Sequence, residues 1–411
     1  MNVTMIVPYF KPEITAIVRL MDDLARDLAS YGARVTVVTG FPARGIGRDL
    51  QRQYVHLTRE QLAPNVTILR TGSKKPEGNG LIHRGVRYLL KTAAFYQKAK
   101  KTNADVYYIY STPPFMGLIG TLLRRKTPTL YCLQDIFPDN LVLQGKLRKK
   151  GGAYRFLSRM ESFMYQNNTR IVTLSSDMKN HLLGKNIDPE KISIIGNWVD
   201  TDEIRYIPRG ENPLFDRFGL NRNQFYVTYS GNLGHAQDIH SILEAAGILQ
   251  KEVPEIQFLI IGSGVLEEKF KSQVLFENLQ NLKFFPLQPD QDSALVYSIG
   301  DIGLVTLKKD MDGKAMPSKI WAMMAASQPL ICTTSEGTEL SAVIQASGCG
   351  LPIPPEDSVE LARQIKGLFH RPDFLRDYGK QGRDYAVKYC SRSAATKKYY
   401  DLMAEMAKGR G

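Results

Sequence analysis

Apolar positions recur along this chain with two alternating periods. Residues 3–7 form a short apolar run, and Leu20, Leu24, Ala25 and Leu28 follow at helical spacing. Gly32 marks the end of that helix. Residues 34–39, which include Val35, Thr36, Val37 and Val38, predict a strand. Residues 106–110, 129–133 and 170–174 predict further strands. After residue 220 the pattern restarts, with strands predicted at 226–229, 258–261, 282–285, 302–305 and 329–332 between helical stretches. Short apolar strands alternating with helices predict parallel sheets covered on both faces, and two such series predict an α/β chain with two doubly wound domains.

The break falls at residues 198–223, rich in Pro, Gly, Asn and charge and weak in periodicity. This places a first domain at 1–199, a second at 200–380 and a polar helical tail at 381–411. No sequence repeat or low-complexity segment accompanies the doubling. In open α/β sheets ligands bind outside the carboxyl ends of the strands, so the loops after strands are the places to look for chemistry.

The 411 residues are 43% hydrophobic and 23% charged, ordinary globular composition that excludes a disordered or disulfide-stapled chain. Cys132, Cys332, Cys349 and Cys390 lie far apart with no metal-ligand spacing, which predicts a reducing compartment and no structural zinc. The opening Met-Asn-Val-Thr-Met-Ile-Val-Pro reads as a first strand rather than a signal peptide. The longest apolar run, 113–123, stops at Arg124-Arg125-Lys126, short of the roughly 20 residues of a spanning helix. A soluble or peripheral protein is expected. Net charge is +13, and its distribution is uneven. Residues 1–200 hold 30 Lys and Arg against 15 Asp and Glu, the remainder 24 against 26. All the excess positive charge lies in the first half, which suits nucleic acid, anionic lipid or a phosphorylated substrate.

Several segments could carry chemistry. Tyr229-Ser230-Gly231-Asn232-Leu233-Gly234 follows a strand, and its glycines would let backbone N–H groups approach a phosphate; a plain strand-to-helix turn is the alternative. Gly262-Ser263-Gly264 is a second glycine turn, and Phe285-Pro286-Leu287-Gln288 could offer backbone to a base edge. In Lys314-Ala315-Met316-Pro317-Ser318-Lys319, Pro-Ser suits a helix start, and Lys319 in a first turn opposes the helix dipole unless an anion sits there. Glu336 and Glu339 follow the last predicted strand as helix caps or as ligands for sugar hydroxyls. In the first domain, Gln134-Asp135-Ile136-Phe137-Pro138-Asp139 places two carboxylates after a strand. Either could orient a sugar hydroxyl or assist proton transfer, or Asp135 could simply cap a helix.

Residues 82–98 are amphipathic. Ile82, Val86, Leu89, Leu90, Ala93 and Tyr96 share one face, and Arg84, Arg87, Lys91 and Lys98 the other. The apolar face suits either a sheet or an anionic bilayer, with core packing expected for most of it. Gly145 to Lys150 adds a second cationic cluster.

Taken in order, these segments resemble a family. Pro8-Tyr9-Phe10-Lys11-Pro12-Glu13-Ile14 and residues 35–42 look like the opening of retaining glycosyltransferases of the GT-B fold. Similarity is closest to bacterial transferases of O-antigen, capsule and colanic-acid synthesis, L-fucosamine transferases among them. The stretch 134–139, the Asn197-Trp198-Val199-Asp200-Thr201 segment, Ser230-Gly231-Asn232, Pro317-Ser318-Lys319, Thr338-Glu339-Leu340-Ser341 and Ser347-Gly348-Cys349-Gly350 complete the series.

The resemblance implies two Rossmann-like domains facing across a cleft, the second binding a nucleotide sugar and the first an acceptor, with the tail helix crossing back. It implies retention of anomeric configuration, a UDP-sugar donor, a polyprenyl-diphosphate-linked sugar acceptor at the cytoplasmic face of the inner membrane, and no catalytic metal or cofactor. On the positions matched here, Ser230, Gly231, Asn232, Gly264, Leu287, Lys314, Ser318, Lys319, Glu336 and Glu339 would bind donor. Thr15, Asp135 and Asp139 would meet acceptor, and Asp135, Lys319 and Glu339 would act in catalysis. The chain also departs from the family. Lys314 and Ala322 stand where two carboxylates are common, Asn232 and Gln237 where a basic clamp is common, and Thr15-Ala16 where Gly-Gly is common. A nucleotide-sugar 2-epimerase of the same architecture and a basic nucleic-acid-binding protein are the competing readings. No recognisable reader module supports the second.

Overall fold

A computed structural model describes residues 1–43, 45–73, 81–143, 147–149, 151–312 and 316–409. The chain forms two compact units, Met1–Asn197 with Ala395–Gly411, and Trp198–Ala394.

Among the described residues the first unit holds an eight-stranded sheet. Its strands are β1 (Asn2–Ile6), β2 (Arg34–Thr39), β3 (Arg59–Ala63), β4 (Val66–Arg70), β5 (Val106–Tyr110), β6 (Thr129–Cys132), β7 (Arg170–Thr173) and β8 (Ile192–Ile194). The order is β3-β4-β2-β1-β5-β6-β7-β8, parallel except for β3 against β4. The five predicted strands are all present. Three strands escape the sequence reading: the polar edge strand β3, the short β8, and β4, whose buried and half-buried positions alternate. In β4, Val66, Ile68 and Arg70 face inward. The buried Arg70 guanidinium donates to the Lys11 carbonyl and to Glu60, both at 2.7 Å.

The second unit holds β9 (Phe225–Asn232), β10 (Ile256–Ser263), β11 (Leu282–Phe285), β12 (Ile302–Val305), β13 (Leu330–Thr333) and β14 (Gly350–Ile353). All are parallel, in the order β11-β10-β9-β12-β13-β14. Strand β14, which is not among the predicted strands, carries Pro352, which an edge position tolerates. Val227, Phe258, Ile302 and Ile331 form part of a fully buried core against the helices His240–Glu252 and Ser358–Phe369.

The tail divides later than residue 381. Arg383 stays in the second unit, donating to the carbonyls of Thr201, Ile204 and Ala325. From Ala395 the last helix, Arg392–Lys408, packs in the first unit. There Thr396 donates to Asp27 at 3.0 Å and Tyr399 lies 3.3 Å from the Cys132 sulfur.

The helix Leu81–Ala99 sits the other way round from expectation. Phe95 and Ala99 are buried against the sheet, and Lys91 turns inward with them. Its amine donates to the Pro8 carbonyl at 3.1 Å and lies 4.6 Å from the Tyr9 ring centre. Val86, Leu89, Leu90 and Ala93 are exposed instead. A lysine that finds a carbonyl and an aromatic face can leave water, and Lys91 is half-buried, as are Arg87 and Lys98. Of the expected apolar face, Tyr96 alone among the described side chains packs on the core, and the Ile82 and Arg84 side chains lie outside the described residues.

Candidate active site

In the second sheet the chain runs outward from β9 through β10 to β11, then returns to β12 on the other side of β9. The order reverses between β9 and β12. Their following loops diverge there, leaving a crevice at the carboxyl ends. Ser318 and Lys319 enter that crevice at the start of the helix Lys319–Ala325. The Lys319 amine donates to the Ser230 carbonyl at 3.1 Å and to the Leu304 carbonyl at 3.4 Å, one from each side of the reversal. It lies 3.9 Å from the centre of the Tyr229 ring.

A cavity of about 260 Å³ opens at this point. It brings together five of the predicted donor residues: Ser230, Gly231, Asn232, Ser318 and Lys319. Tyr229, Gln237, Tyr297 and Thr306 also line it; Tyr229 and Gln237 are positions already noted in the sequence, which singles out neither Tyr297 nor Thr306. The one sequence signal for Thr306 is position: it follows β12, the strand beside β9. Gly231 has φ +138°, open to glycine and rarely to other residues. The Tyr229 hydroxyl donates to the Asn232 carbonyl at 2.8 Å, and the Lys308 N–H to the Ala236 carbonyl at 3.1 Å, which fixes the two loops.

Two features mark this cavity as a place for an anion. Lys319 makes no ion pair with the described residues. Burial of its amine lowers its pKa from the usual lysine range to about 7, with the Cys332 sulfur opposing that shift. The Thr306 hydroxyl is buried and has no hydrogen-bond partner among the described residues. A buried polar atom left unpaired is costly, and a ligand would satisfy it.

Other predicted donor residues lie apart from the cavity lining. A Cβ on Gly264 would stand 2.4 Å from the Leu233 carbonyl oxygen, so close backbone packing accounts for that glycine. Leu287 is exposed on the loop after β11, and Glu336 is exposed on the loop after β13. Glu339 begins the helix Glu339–Ser347, whose first turn is capped by the Thr338 hydroxyl accepting from the Ser341 N–H at 3.2 Å. Lys314 lies outside the described residues.

The first sheet has its own reversal, between β1 and β5. Thr15 follows β1 at the start of the helix Ala16–Ser30, with its hydroxyl buried and unpaired among the described residues. Glu13 accepts from the Phe10 N–H at 3.3 Å and the Ala43 N–H at 2.9 Å, tying the loops after β1 and β2 together. Asp135 follows β6. The backbone N–H of its neighbour Gln134 donates to the Ser111 hydroxyl oxygen at 3.0 Å, and the Gln134 side-chain amide donates to the Cys132 sulfur and accepts from the Asn197 amide. Asp135 is exposed, and the protein around it raises its carboxyl pKa by desolvation. Asp139 accepts from the Tyr154 hydroxyl at 2.7 Å and lies 3.7 Å from His181, a largely structural setting.

Two parallel α/β sheets with a polar crevice at the reversal of one define the GT-B class of architecture. Comparison with known proteins places the chain within it. The profile of "Glycosyltransferase Family 4" matches residues 17–203, and that of "Glycosyl transferases group 1" matches residues 211–385. "Probable glycosyltransferase WbjE" of Pseudomonas aeruginosa is 32% identical over 291 residues, 70% of this chain and 72% of that protein. "UDP-Gal:alpha-D-GlcNAc-diphosphoundecaprenol alpha-1,3-galactosyltransferase" of Escherichia coli is 26% identical over 196 residues, 46% of this chain and 48% of that protein. Among solved structures, HepE of Anabaena in complex with UDP has a TM-score of 0.71 at 14% identity, covering 98% of this chain and 100% of that one. The chain belongs to the GT-B glycosyltransferases of group 1 and family 4.

Proposed function

We propose that this protein is a retaining glycosyltransferase that moves a sugar from a UDP-sugar to a polyprenyl-diphosphate-linked sugar acceptor in bacterial surface polysaccharide synthesis. The observation that carries the reading is the Lys319 amine, set in a cavity at the sheet reversal with no carboxylate partner among the described residues. A nucleoside diphosphate is the kind of anion such a site would take. The names of two similar proteins support this choice: HepE was solved with UDP, and the Escherichia coli relative is named for a UDP-sugar donor and a diphosphoundecaprenol-linked acceptor.

During transfer the bond from the anomeric carbon to the diphosphate breaks and a bond to the acceptor hydroxyl oxygen forms on the same face. The acceptor proton passes to the departing phosphate oxygen. Negative charge grows on the leaving diphosphate, and Lys319 with the Gly231 and Asn232 backbone would stabilise it. The Thr306 hydroxyl would add one hydrogen bond. Glu339 would hold the nucleotide ribose or the donor sugar, with Glu336 secondary. Asp135 would orient acceptor hydroxyls, and Thr15 and Asp139 of the first unit would also meet the acceptor.

Thermal unfolding with UDP, GDP, ADP and their sugars tests the donor class, because a ligand of the native state raises the midpoint by mass action. A shift with uridine nucleotides alone supports the reading. A shift confined to GDP or ADP overturns the donor, and no shift with any nucleotide overturns the site.

A further inference from the structure

The second unit carries a larger cavity than the one at Lys319. It holds about 380 Å³, within the range of ligand sites, roughly 300 to 1,000 Å³. Asp301 borders it just before β12 and Ser327 just before β13, so it lies at the amino ends of these strands. Ligands of open α/β sheets meet the carboxyl ends, where the donor cavity opens, and the proposed transfer leaves this second cavity unused. The turn between the helix Lys319–Ala325 and β13 forms one wall. There the Gln328 N–H donates to the Met323 carbonyl and the Ser327 N–H to the Met324 carbonyl, both at 3.0 Å. That pattern ends a helix with one left-handed residue, a place glycine usually takes. Ser327 takes it here, at φ +58°. Backbone strain of this kind collects at functional sites. What serine adds over glycine is a hydroxyl, which has no hydrogen-bond partner among the described residues.

The helix Pro372–Tyr385 closes on this turn. A Cβ on Gly379 would stand 2.4 Å from the Ser327 carbonyl oxygen, so the two backbones nearly touch. The approach brings Arg376 and Lys380 to the cavity, four residues apart on one helical face. Both are exposed. Arg376 pairs with the exposed Asp373 at 2.7 Å, and Lys380 has no ion pair or hydrogen bond among the described residues. Arg209 is a third cation, held by Asp301 and by the carbonyls of Arg222 and Gln224. Asp301 is the one acidic group among the described lining residues, and Arg209 already neutralises it. The lining is left with a positive excess. A carboxylate would meet one cation, whereas a phosphate monoester has oxygens enough for Arg376, Lys380 and the Ser327 hydroxyl together. Tyr206, 51% exposed, offers an apolar ring face beside them for the rest of a small organic phosphate.

This cavity is joined to the donor cavity in two ways. Tyr297 lines both. The turn at Ser327 also ends the helix that Lys319 begins, and seven residues of helix span only about 10 Å. Arg383, one turn beyond Gly379, donates to the Ala325 carbonyl at 2.7 Å and ties the helix Pro372–Tyr385 to the last residue of the Lys319 helix. A ligand that draws Arg376 and Lys380 toward Ser327 therefore steadies the far end of the helix that presents the donor amine. We propose that this cavity is an effector site for a small phosphate monoester, and that filling it tightens nucleotide binding at Lys319. The existence of the site is independent of the donor reading, while its effect on nucleotide binding rests on that reading.

Titration calorimetry of the full chain with ribose 5-phosphate tests it, with saturating UDP present to fill the Lys319 cavity. Ribose 5-phosphate should bind, inorganic phosphate more weakly, and ribose not at all. An Arg376→Gln, Lys380→Gln variant should weaken ribose 5-phosphate about tenfold or more and keep the wild-type affinity for UDP alone. Ser327→Gly, which relieves the left-handed strain and removes the hydroxyl, should unfold no earlier than wild type yet bind about three- to tenfold more weakly. Lys319→Ala should do the reverse, losing UDP and keeping ribose 5-phosphate. In the wild type, saturating ribose 5-phosphate should tighten UDP about threefold or more, and UDP should tighten ribose 5-phosphate by the same factor. No binding to the UDP-filled chain would overturn the proposal. So would binding that survives the Arg376→Gln, Lys380→Gln change, or a UDP affinity that ribose 5-phosphate leaves unchanged. If UDP fails to bind the wild type, the donor reading falls. Ribose 5-phosphate titrated alone into the wild type and the Arg376→Gln, Lys380→Gln variant then still decides the site.

Discussion

Lys319 and Ser230 are joined across the reversal point of the second sheet, the lysine amine donating to the serine carbonyl at 3.1 Å. That bond holds an amine whose pKa is lowered to about 7 by burial. Near neutral pH the free protein therefore holds Lys319 as a mixture of charged and neutral forms. A diphosphate favours the charged form, so binding raises the amine's pKa and takes up protons. Affinity for UDP should be greatest below pH 7 and fall as the pH rises through that value, because each binding event must then first protonate the lysine. Phosphate ionisation of UDP itself, which ends near pH 6 to 7, sets the lower bound of the usable window. Titration calorimetry at about pH 8 in buffers of differing ionisation enthalpy should report proton uptake. A Lys319→Arg variant, charged throughout, should show none.

Replacing the amine separates its chemical role from its structural one. Lys319→Ala should lower turnover by about 10²–10³, the scale of removing one preorganised charge stabiliser. It should not lower the unfolding midpoint, because an amine held by two carbonyls and a ring, without a counter-ion, contributes little net stability. A variant that unfolds early and turns over normally once refolded would reverse the assignment. Steady-state kinetics and differential scanning fluorimetry on one preparation decide it.

The parallel strands and their loops were legible in the sequence because a buried parallel strand must be apolar along its length, as in residues 106–110 and 302–305. Lys319 and Ser230–Asn232 were legible for a related reason: their segments follow such strands. What the sequence hid depends on contacts between distant residues. Periodicity cannot show that Lys91 reaches the Pro8 carbonyl and so reverses its helix. Nor can it show that Thr306 and Tyr229 come to one cavity, since neither is rare or charged. Gly264 reads as a ligand loop because glycine serves both close packing and ligand approach, and only the 2.4 Å approach to Leu233 separates the two uses.

Thr306 offers a substitution with opposite effects on stability and binding. Its hydroxyl is buried without a partner among the described residues, so Thr306→Val removes an unpaired polar atom and keeps the shape. The fold should be unaffected or stabilised by up to about 1 kcal/mol, measured by urea unfolding. If the hydroxyl bonds the donor, UDP affinity should fall about three- to tenfold in the same variant. Unchanged affinity would remove Thr306 from the site.

The glycines at the end of β10 set the limit on how closely it follows β9. A Cβ at Gly262 would lie 2.0 Å from the Gly231 carbonyl oxygen, and the atom it would meet is backbone that cannot rotate away. Gly262→Ala should therefore cost about 3 kcal/mol or more, shifting the strand end that carries Ser230 and Gly231. Gly337 gives the contrast: it has φ +79° and nothing within 4 Å of its Cβ position. Gly337→Ala should cost only the left-handed strain of about 1 kcal/mol, and it should leave UDP binding intact. Urea unfolding of the two variants, each with and without UDP, reads both quantities. Equal losses would mean that the close approach of β9 and β10 does not hold the donor loop in place.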